Sequence, residues 1–352
     1  MSHFCLLQDV DSYLADPYSL LEDAEARTYW LDLFETHFQA TLGHAAVAYG
    51  KSAGKHIEGA RRDFAEQIAQ LRSRPGALDG KLSVLALCRM RKDFLRTHRL
   101  FDPFSHIKRR ENEVSVAIYR DVTRELHSLG PADRWLDLVE AVFAGNIFDL
   151  GSPATMNTAM ESPDFLAAVQ DTKPRPWLVD DFDRLLEDLL ISVPAKWAKA
   201  VIFLDNAGCD FVLGLMPLAR ELALEGVQVV LAANEHPSLN DITANETVDM
   251  VQRLATIDED LPALIDAGMF EVVSTGNDLP LIDLSDVSDE LNAAAADADL
   301  VIIEGMGRAV ESNYDADFSV DTLHLALLKD PNVAARLGGE VYDCVCKYRP
   351  VN

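Results

Sequence analysis

The spacing of hydrophobic residues divides the chain into two parts. From about residue 20 to residue 145, apolar residues recur at intervals of three and four, as in EARTYWLDLFETHFQATLGHAAVAYG, KLSVLALCRMRKDFLRTHRL and RWLDLVEAVFAGNI. This spacing places the apolar side chains on one face of a helix, and turns that contain glycine or proline separate the segments. Residues 1–150 are therefore predicted to form an all-helical N-terminal domain.

A different pattern follows the proline-rich stretch KPRPWLVDD. Short apolar runs (AVIFLD, VQVVLAAN, FEVVSTG, LVIIEG and VYDCVCKY) alternate with segments of helical spacing, the last of which is VDTLHLALLKDPNVAARLG. Apolar strands that alternate with helices are typical of a parallel sheet covered on both faces. Residues 151–352 are predicted to form a Rossmann-like, doubly wound, mainly parallel sheet in a three-layer α/β/α fold.

Polar side chains stand at the predicted carboxyl ends of these strands, where open α/β sheets bind their ligands. The strand ends are Asp205-Asn206, Asn234-Glu235, residues 274–278 (STGND), residues 304–308 (EGMGR) and, on the last strand, Lys347. If all these strands are parallel, the five ends meet at one edge of the sheet. Carboxylates, amides, an arginine and a lysine at one edge favour a site for a divalent cation and a phosphate.

The residue types match that chemistry. Divalent cations such as Mg²⁺ prefer oxygen ligands, which Asp205, Asn206 and Asp241 are able to supply. The guanidinium of Arg308 matches phosphate oxygens, and Lys347 adds a compact positive charge. Asp205 is then placed to attack phosphorus or to orient a water, with Asp241 or Glu304 as general base.

A structural interpretation competes with this one, because Asp and Asn at strand ends often cap the following helix. Asp241 has the form of such a cap, although Glu246 is too distant in sequence to complete a capping box with it. The GMG tripeptide lacks the spacing of a dinucleotide-binding loop, and no P-loop, GxSxG or HExxH motif occurs. The convergence of several strand ends is what favours a binding site over a set of caps.

Composition and charge narrow the classes of function. The chain has 352 residues, of which 49% are hydrophobic and 25% charged, as in ordinary globular proteins. Its formal net charge of −27 disfavours binding to nucleic acid or to an anionic membrane. Five cysteines without a CxxC pair, together with the lack of a visible secretory signal, predict a cytoplasmic protein with reduced thiols.

Several long motifs resemble one known family. VIFLDNAGCDFVLGLMPLARELALEGVQVVLAANEHPSLND, GNDLPLIDLSDVSDEL, DADLVIIEGMGRAVESN and LGGEVYDCVCKY are similar to the damage-control phosphatases, formerly domain of unknown function 89. Upstream, DPFSHIKRRENE and VFAGNIFDLGSPA resemble the same branch, which also occurs fused behind pantothenate kinase domains. The EGMGR motif marks this branch, whereas the branch that acts on sugar phosphates has a different motif at that place. No kinase domain precedes the motifs here, so a stand-alone form is expected.

The resemblance implies a phosphomonoesterase that depends on Mg²⁺, Mn²⁺, Co²⁺ or Ni²⁺ and acts on 4′-phosphopantetheine and its oxidised or damaged forms. It assigns the metal to Asp205, Asn206 and Asp241, and it makes Asp205 the favoured nucleophile. The remaining assignments are activity for Glu304 and Arg308 and substrate binding for Gly305, Met306, Gly307, Lys347, Asn146 and Asp149. Lys108 and Asn112 match a further element of the family with weaker support.

Other functions stay open at the level of the sequence. They are a sugar-phosphate phosphatase of the same family, a methyltransferase on the same fold, and a non-catalytic module that binds a coenzyme intermediate. In each case the expected partner is a small molecule, and a homo-oligomeric assembly is compatible with the sequence.

Overall fold

A computed structural model describes residues 2–78, 80–147, 172–191 and 195–351. The helices predicted for the first part of the chain are present. They are α1 (Ala24–Tyr49), α2 (Gly54–Ser73), α3 (Val84–Thr97), α4 (Ser105–Ser128) and α5 (Pro131–Ile147). Polar caps begin two of them, because the Asp23 side chain accepts from the Ala26 N–H and Ser83 accepts from the Ala86 N–H.

The second part supplies the sheet. Its strands are β1 (Val179–Asp180), β2 (Lys199–Phe203), β3 (Gln228–Ala233), β4 (Phe270–Ser274), β5 (Leu300–Glu304), β6 (Asp321–Leu327) and β7 (Cys344–Arg349). Between them lie α6 (Phe182–Leu189), α7 (Met216–Leu224), α8 (Ala244–Ala255), α9 (Leu261–Asp266), α10 (Asp289–Ala295) and α11 (Pro331–Arg336). Two π-helices, Asp210–Leu215 and Met306–Ser312, follow β2 and β5.

Across the described part of the chain the strands form one sheet in the order β1-β7-β6-β5-β2-β3-β4. Neighbouring strands are parallel from β6 through β5, β2 and β3 to β4, and β7 pairs antiparallel with β6. From β2 the chain winds outward through β3 and β4, whereas β5 lies on the other side of β2 and is followed outward by β6. The winding therefore reverses between β2 and β5, which is the position where such sheets bind ligands.

Helices cover both faces of this sheet. Alternate residues of β2, such as Val201 and Phe203, join a core that contains side chains of α1, α2 and α3. The intervening residues, Ala200 and Ile202, join a second core with α4, α5 and α7. This alternation confirms the three-layer α/β fold, in which helices from the N-terminal part of the chain pack on both faces of the sheet.

The prediction for residues 320–338 was wrong in its first half. That segment was expected to be helical, but β6 occupies Asp321–Leu327 and only the short helix α11 follows. Every residue of β6 is buried, so TLHLALL contacts apolar neighbours on both sides of the sheet. A short run that is apolar on both sides has no periodicity that distinguishes a strand from a helix.

The division into domains 1–150 and 151–352 stays a prediction, because its boundary lies outside the described residues. The helices before that boundary contribute to both cores, α1–α3 on one face of the sheet and α4–α5 on the other. Within the described ranges, no helix is long and apolar enough to span a membrane.

Candidate active site

Three carboxylates meet where the winding of the sheet reverses. Asp205 lies just beyond the end of β2, and Glu304 is the last residue of the neighbouring strand β5. Together with Asp210 they place one oxygen each within 4.8 Å of one another, and all three residues are buried. Three buried carboxylates at this separation repel one another strongly unless a cation or protons compensate their charge.

Asp210 was not among the predicted site residues. It begins the first π-helix, and its Oδ2 accepts hydrogen bonds from the backbone N–H of Asn206 at 3.1 Å and from Asn206 Nδ2 at 2.8 Å. A π-helix is wider than an α-helix and is often found at functional sites. Here the first turn of the π-helix directs the Asp210 side chain towards the end of β2.

Helix α5 approaches this turn closely and brings Asn146 to the carboxylates. A Cβ on Gly145 would lie 2.9 Å from the Cα of Asp210, so a side chain at this position would separate the two elements. The Nδ2 of Asn146 donates to Asp210 Oδ2 at 2.9 Å and to Glu304 Oε1 at 2.7 Å, and it lies 3.5 Å from Asp205 Oδ2. Asn146 is thus in contact with all three carboxylates.

Asp241 joins the site through Arg308. The guanidinium of Arg308 forms ion pairs with Asp205 Oδ1 and, at 2.8 Å, with Asp241 Oδ2. The same Asp241 oxygen accepts from Asn234 Nδ2 at 2.9 Å. Arg308 therefore connects the ends of β2 and β5 to the loop that follows β3.

The alternative interpretation of Asp241 as a helix cap was wrong. Thr243 caps α8, with a reciprocal capping box between its side chain and backbone and those of Glu246. A capping box joins two residues that lie three positions apart, as Thr243 and Glu246 do, whereas Asp241 lies five positions before Glu246. Because the helix has another cap, the Asp241 side chain is available to Arg308 and Asn234.

Gly305 permits the contact between β5 and Asp205. Its φ of 94° lies in a region that other residues rarely adopt, and an added Cβ would lie 2.6 Å from the carboxylate carbon of Asp205. Gly307 has a similar restriction, since its Cβ would lie 2.6 Å from the carbonyl oxygen of Pro280. The two glycines of EGMGR thus have packing roles, and their assignment to substrate binding stays a prediction.

The residues present are suitable for a divalent cation. Their donors are the hard oxygens that Mg²⁺ or Mn²⁺ prefers, and two buried oxygens, Asp210 Oδ1 and Asn146 Oδ1, have no hydrogen-bond partner among the described residues. Burial raises the pKa of Asp210 to about 6, although Lys329 and the hydrogen bonds from Asn206 and Asn146 lower it. A cation and a proton would compete for this carboxylate, so cation binding should strengthen as the pH rises through about 6.

Lys347 lies away from these carboxylates. It was expected at the same edge because β7 was taken as a parallel strand, but β7 is antiparallel to β6 and pairs Lys347 with His324 within the strand. Its Nζ donates to the carbonyl oxygen of Tyr314 and lies 3.3 Å from the centre of the Tyr314 ring. The antiparallel pairing corrects the expected position of Lys347 at that edge, whereas its assignment to substrate phosphate, which the family resemblance also gave, stays a prediction.

Lys329 is the lysine at the site. It follows the end of β6, lines the same pocket as Asp205 and Asp241, and donates from Nζ to the carbonyl oxygen of Asn146 at 3.2 Å. The sequence signal was the tripeptide KDP after an apolar run, but it could be used only once that run was known to be a strand.

Other predicted residues have different positions. Met306 lines the pocket, and its Sδ accepts from the backbone N–H of Lys329 at 3.2 Å. Asn112 holds the turn after Asp205, because its Oδ1 accepts from the Gly208 N–H at 2.8 Å. Lys108 forms ion pairs with Asp102 and Glu246, apart from the carboxylate cluster. Asp149 lies outside the described residues.

Glu311 is a further acidic residue in the wall of the pocket. It is 9% exposed, and its Oε2 has no hydrogen-bond partner among the described residues. Burial, with a contribution from the charge of Asp330, raises the pKa of Glu311 to about 8, although Arg336 lowers it. Glu311 is therefore neutral at pH 7 in the folded protein and ionised in the unfolded chain.

This difference predicts a pH-dependent effect of Glu311→Gln. The folded pKa lies above the unfolded value, so Glu311 makes the protein progressively less stable as the pH rises from about 4.5 to 8. The variant should be more stable than the wild type by on the order of 3 kcal/mol at pH 7 and by little at pH 4.5. Urea unfolding across this range tests the effect, with the exposed Glu340→Gln as the matched control. Identical pH profiles for the two variants would contradict it.

Comparison with known proteins identifies the family. The sequence profile of the damage-control phosphatase ARMT1-like domain matches residues 38–345, which is most of the chain. The chain belongs to this family. The resemblance of the EGMGR and DNAGCD motifs to damage-control phosphatases is thereby confirmed.

Curated relatives of this damage-control phosphatase-like chain include a protein of similar length and longer proteins. An Arabidopsis thaliana protein described as a damage-control phosphatase is 41% identical over 82% of this chain and 79% of its own length. Pantothenate kinase 2 of Arabidopsis is 38% identical, and mouse 4′-phosphopantetheine phosphatase is 33% identical, over 99% and 97% of this chain. The chain spans 42% and 48% of those two proteins, so it matches about half of each.

A solved structure agrees with the fold. A DUF89 family protein from Pyrococcus horikoshii superposes with a TM-score of 0.63, over 90% of this chain and 96% of that one. At 19% identity this similarity supports the architecture of the damage-control phosphatase-like chain and says nothing about its substrate.

Proposed function

We propose that this protein is a metal-dependent phosphomonoesterase that removes phosphate from 4′-phosphopantetheine and from oxidised or damaged forms of that molecule. The observation that supports it most directly is the cluster of Asp205, Asp210 and Glu304 at the reversal of the sheet, beside a pocket that contains Lys329. A set of buried carboxylates next to a lysine is suited to a cation and a phosphate together. The name of the Arabidopsis relative supports a phosphatase reaction, and the name of the mouse relative supports the substrate 4′-phosphopantetheine.

In this proposal Asp205, Asp210 and Glu304 hold the cation, with Asn146 and Asn206 as neighbouring amides. The ligand set predicted from the sequence was Asp205, Asn206 and Asp241. The two sets have Asp205 in common, and in this proposal Asp241 pairs with Arg308 instead of holding the cation. A bound divalent cation would neutralise phosphate charge and make phosphorus more open to attack.

The chain's own side chains then align the ester. The ammonium of Lys329 binds a phosphate oxygen, since Lys329 lines the pocket next to Asp205. Arg308 holds Asp205 and Asp241 in place, because its guanidinium contacts both carboxylates. In one route Asp205 attacks phosphorus, the ester P–O bond breaks, and water then hydrolyses the aspartyl phosphate; in the other, Asp205 takes the proton of a water that attacks phosphorus as the same bond breaks. Both routes need the ionised carboxylate of Asp205, and the leaving alkoxide takes a proton from water.

Phosphate release from a panel of monoesters tests this function. The panel contains 4′-phosphopantetheine, its oxidised forms, several sugar phosphates and a chromogenic ester, each measured with EDTA and after Mg²⁺, Mn²⁺, Co²⁺ or Ni²⁺ is restored. We expect no release with EDTA, and metal-restored release that is fastest for the pantetheine esters. Faster release from sugar phosphates would reject the substrate, and silence with every metal would reject the enzyme in favour of a binding module.

A further inference from the structure

The pocket beside Asp205 extends away from the carboxylate cluster to helices α1 and α3. At the sheet its wall includes Asp205, Asp241, Lys329 and the further acidic residues Glu311 and Asp330. At the helices its wall is largely apolar, with Trp30, Leu33, Phe34, Val84 and Cys88. One elongated ligand can therefore contact the candidate phosphate site and the helical end together, with its phosphate at the sheet.

Arg91 is the charged residue of the helical end. It is 5% exposed and lies on α3, where its guanidinium carbon is 5.0 Å from the centre of the Phe34 ring. Nη1 contacts His37 Nδ1 at 3.3 Å, and Nη2 lies 3.8 Å from Cys88 Sγ. Because arginine has no acceptor, Nδ1 of His37 accepts this hydrogen bond and its ring proton lies on Nε2.

The absence of a carboxylate partner sets Arg91 apart. Three arginines are buried in the described ranges, and each of the other two, Arg220 and Arg308, forms ion pairs with two carboxylates. Arg91 forms none with the described residues, although the chain contains 58 acidic residues and 31 lysines and arginines. A buried charge without an opposite partner is unfavourable, and an anionic ligand would compensate it.

Trp30 supplies a second donor at the same end of the pocket. It is 4% exposed, and its Nε1–H has no acceptor among the described residues. Buried indole N–H groups usually find an acceptor. Two donors that lie beside apolar side chains favour a ligand group that carries several acceptor oxygens, such as a carboxylate or a sulfonate.

We infer that Arg91 binds an anionic group at the end of the substrate remote from the phosphate, and that it thereby determines substrate preference. This inference rests on the proposed phosphatase function, because it assigns the other end of the same ligand. Esters that end in a carboxylate or sulfonate are then preferred over esters of the same length with an uncharged end.

The test compares two phosphate monoesters with the same phosphate and chain, one ending in a carboxylate and the other in a primary amide. In Arg91→Gln, kcat/KM for the carboxylate ester should fall about 10- to 100-fold, mainly through KM, because a charge-assisted hydrogen bond is lost. The amide ester should lose less than about threefold, since an uncharged amide gains little from the guanidinium charge. Arg91→Lys should retain part of the preference, and Trp30→Phe should weaken it while keeping an aromatic ring.

Arg89→Ala is the matched control, because Arg89 lies on the same helix, is half exposed and contacts Asp283 at 2.6 Å. It should change neither ester by more than about threefold. Equal losses for both esters in Arg91→Gln would show that Arg91 only supports packing, and unchanged preference would equally overturn the inference. If Arg91→Gln does not fold, the same comparison in Arg91→Lys and Trp30→Phe decides.

Failure of the proposed function is distinguishable from failure of this inference. If the wild type releases phosphate from neither of these two esters nor from any ester of the panel with any of the four metals, the phosphatase proposal fails. Calorimetric titration of both esters into the wild type and Arg91→Gln, with Mg²⁺ present, then decides the role of Arg91. Tighter binding of the carboxylate ester that is lost in the variant supports the inference, and equal binding of both esters contradicts it.

Discussion

Asp205→Asn should reduce phosphate release at least about 1,000-fold while the protein remains folded. Asp205 is the residue that the three parts of the site share: it belongs to the carboxylate cluster, it forms an ion pair with Arg308, and it borders the pocket. Asparagine has the same shape but has neither the charge to hold a cation nor the basicity to act on phosphorus or water. Steady-state phosphate release with saturating metal measures the loss.

The fold of this variant should be close to that of the wild type. Arg308 keeps Asp241 as a partner, and the substitution removes one of three adjacent negative charges. A melting temperature near the wild-type value, together with weaker calorimetric binding of Mn²⁺, would separate loss of the site from loss of the fold. Asp297→Asn is the control, because its exposed carboxylate pairs with Lys199 at 2.7 Å at the opposite end of β2. More than about a tenth of the wild-type rate in Asp205→Asn would exclude Asp205 as the reacting residue.

Gly305→Ala should impair both activity and stability. The methyl group would enter the space of the Asp205 carboxylate, and the backbone would have to keep a φ of 94° that alanine adopts only with strain. Strain and overpacking together should cost about 2–5 kcal/mol of unfolding free energy. Displacement of Asp205 by about 1 Å should reduce kcat/KM about 100-fold.

Gly338→Ala separates strain from displacement. Gly338 also has a positive φ, 74°, but no atom lies within 4 Å of its added Cβ. This control should lose about 1 kcal/mol and keep its activity. Urea unfolding and phosphate release on both variants measure the two effects. Equal activity in the two variants would mean that the contact between Gly305 and Asp205 does not position the carboxylate.

The sequence was sufficient to predict the fold class and much of the site, because buried parallel strands have a clear pattern and their ends have a known position. The ends of β2, β3 and β5 do converge, and they bring Asp205, Asn234 and Glu304 to the same region. The carboxylate at the end of β4 does not join them, since Asp278 pairs with Lys92 and Arg96 of α3 instead. The convergence of strand ends thus predicted the position of the central carboxylates better than that of the residues around them.

Asp210 and Lys329 were missed for physical reasons. Asp210 lies inside a segment with helical spacing, and only the π-helical turn directs it to the other carboxylates. The available signal was an acidic residue at the start of the apolar stretch FVLGLM. Lys329 could not be placed because β6 was not recognised, and Lys347 was placed at that edge because β7 was taken as parallel. One unrecognised strand and one wrong strand direction therefore account for the two lysines.

The pocket joins two stretches of the chain that are far apart in sequence, helices α1 and α3 on one side and the ends of β2 and β5 on the other. In the proposed assignment recognition lies with the helices and chemistry with the strand ends, so substitutions in the helices should alter ligand choice while leaving the reacting groups intact. A lineage can then acquire a new substrate in a few steps without passing through an inactive intermediate. In directed evolution, libraries confined to positions 30–37 and 84–91 should yield altered preferences more often than libraries around the carboxylates.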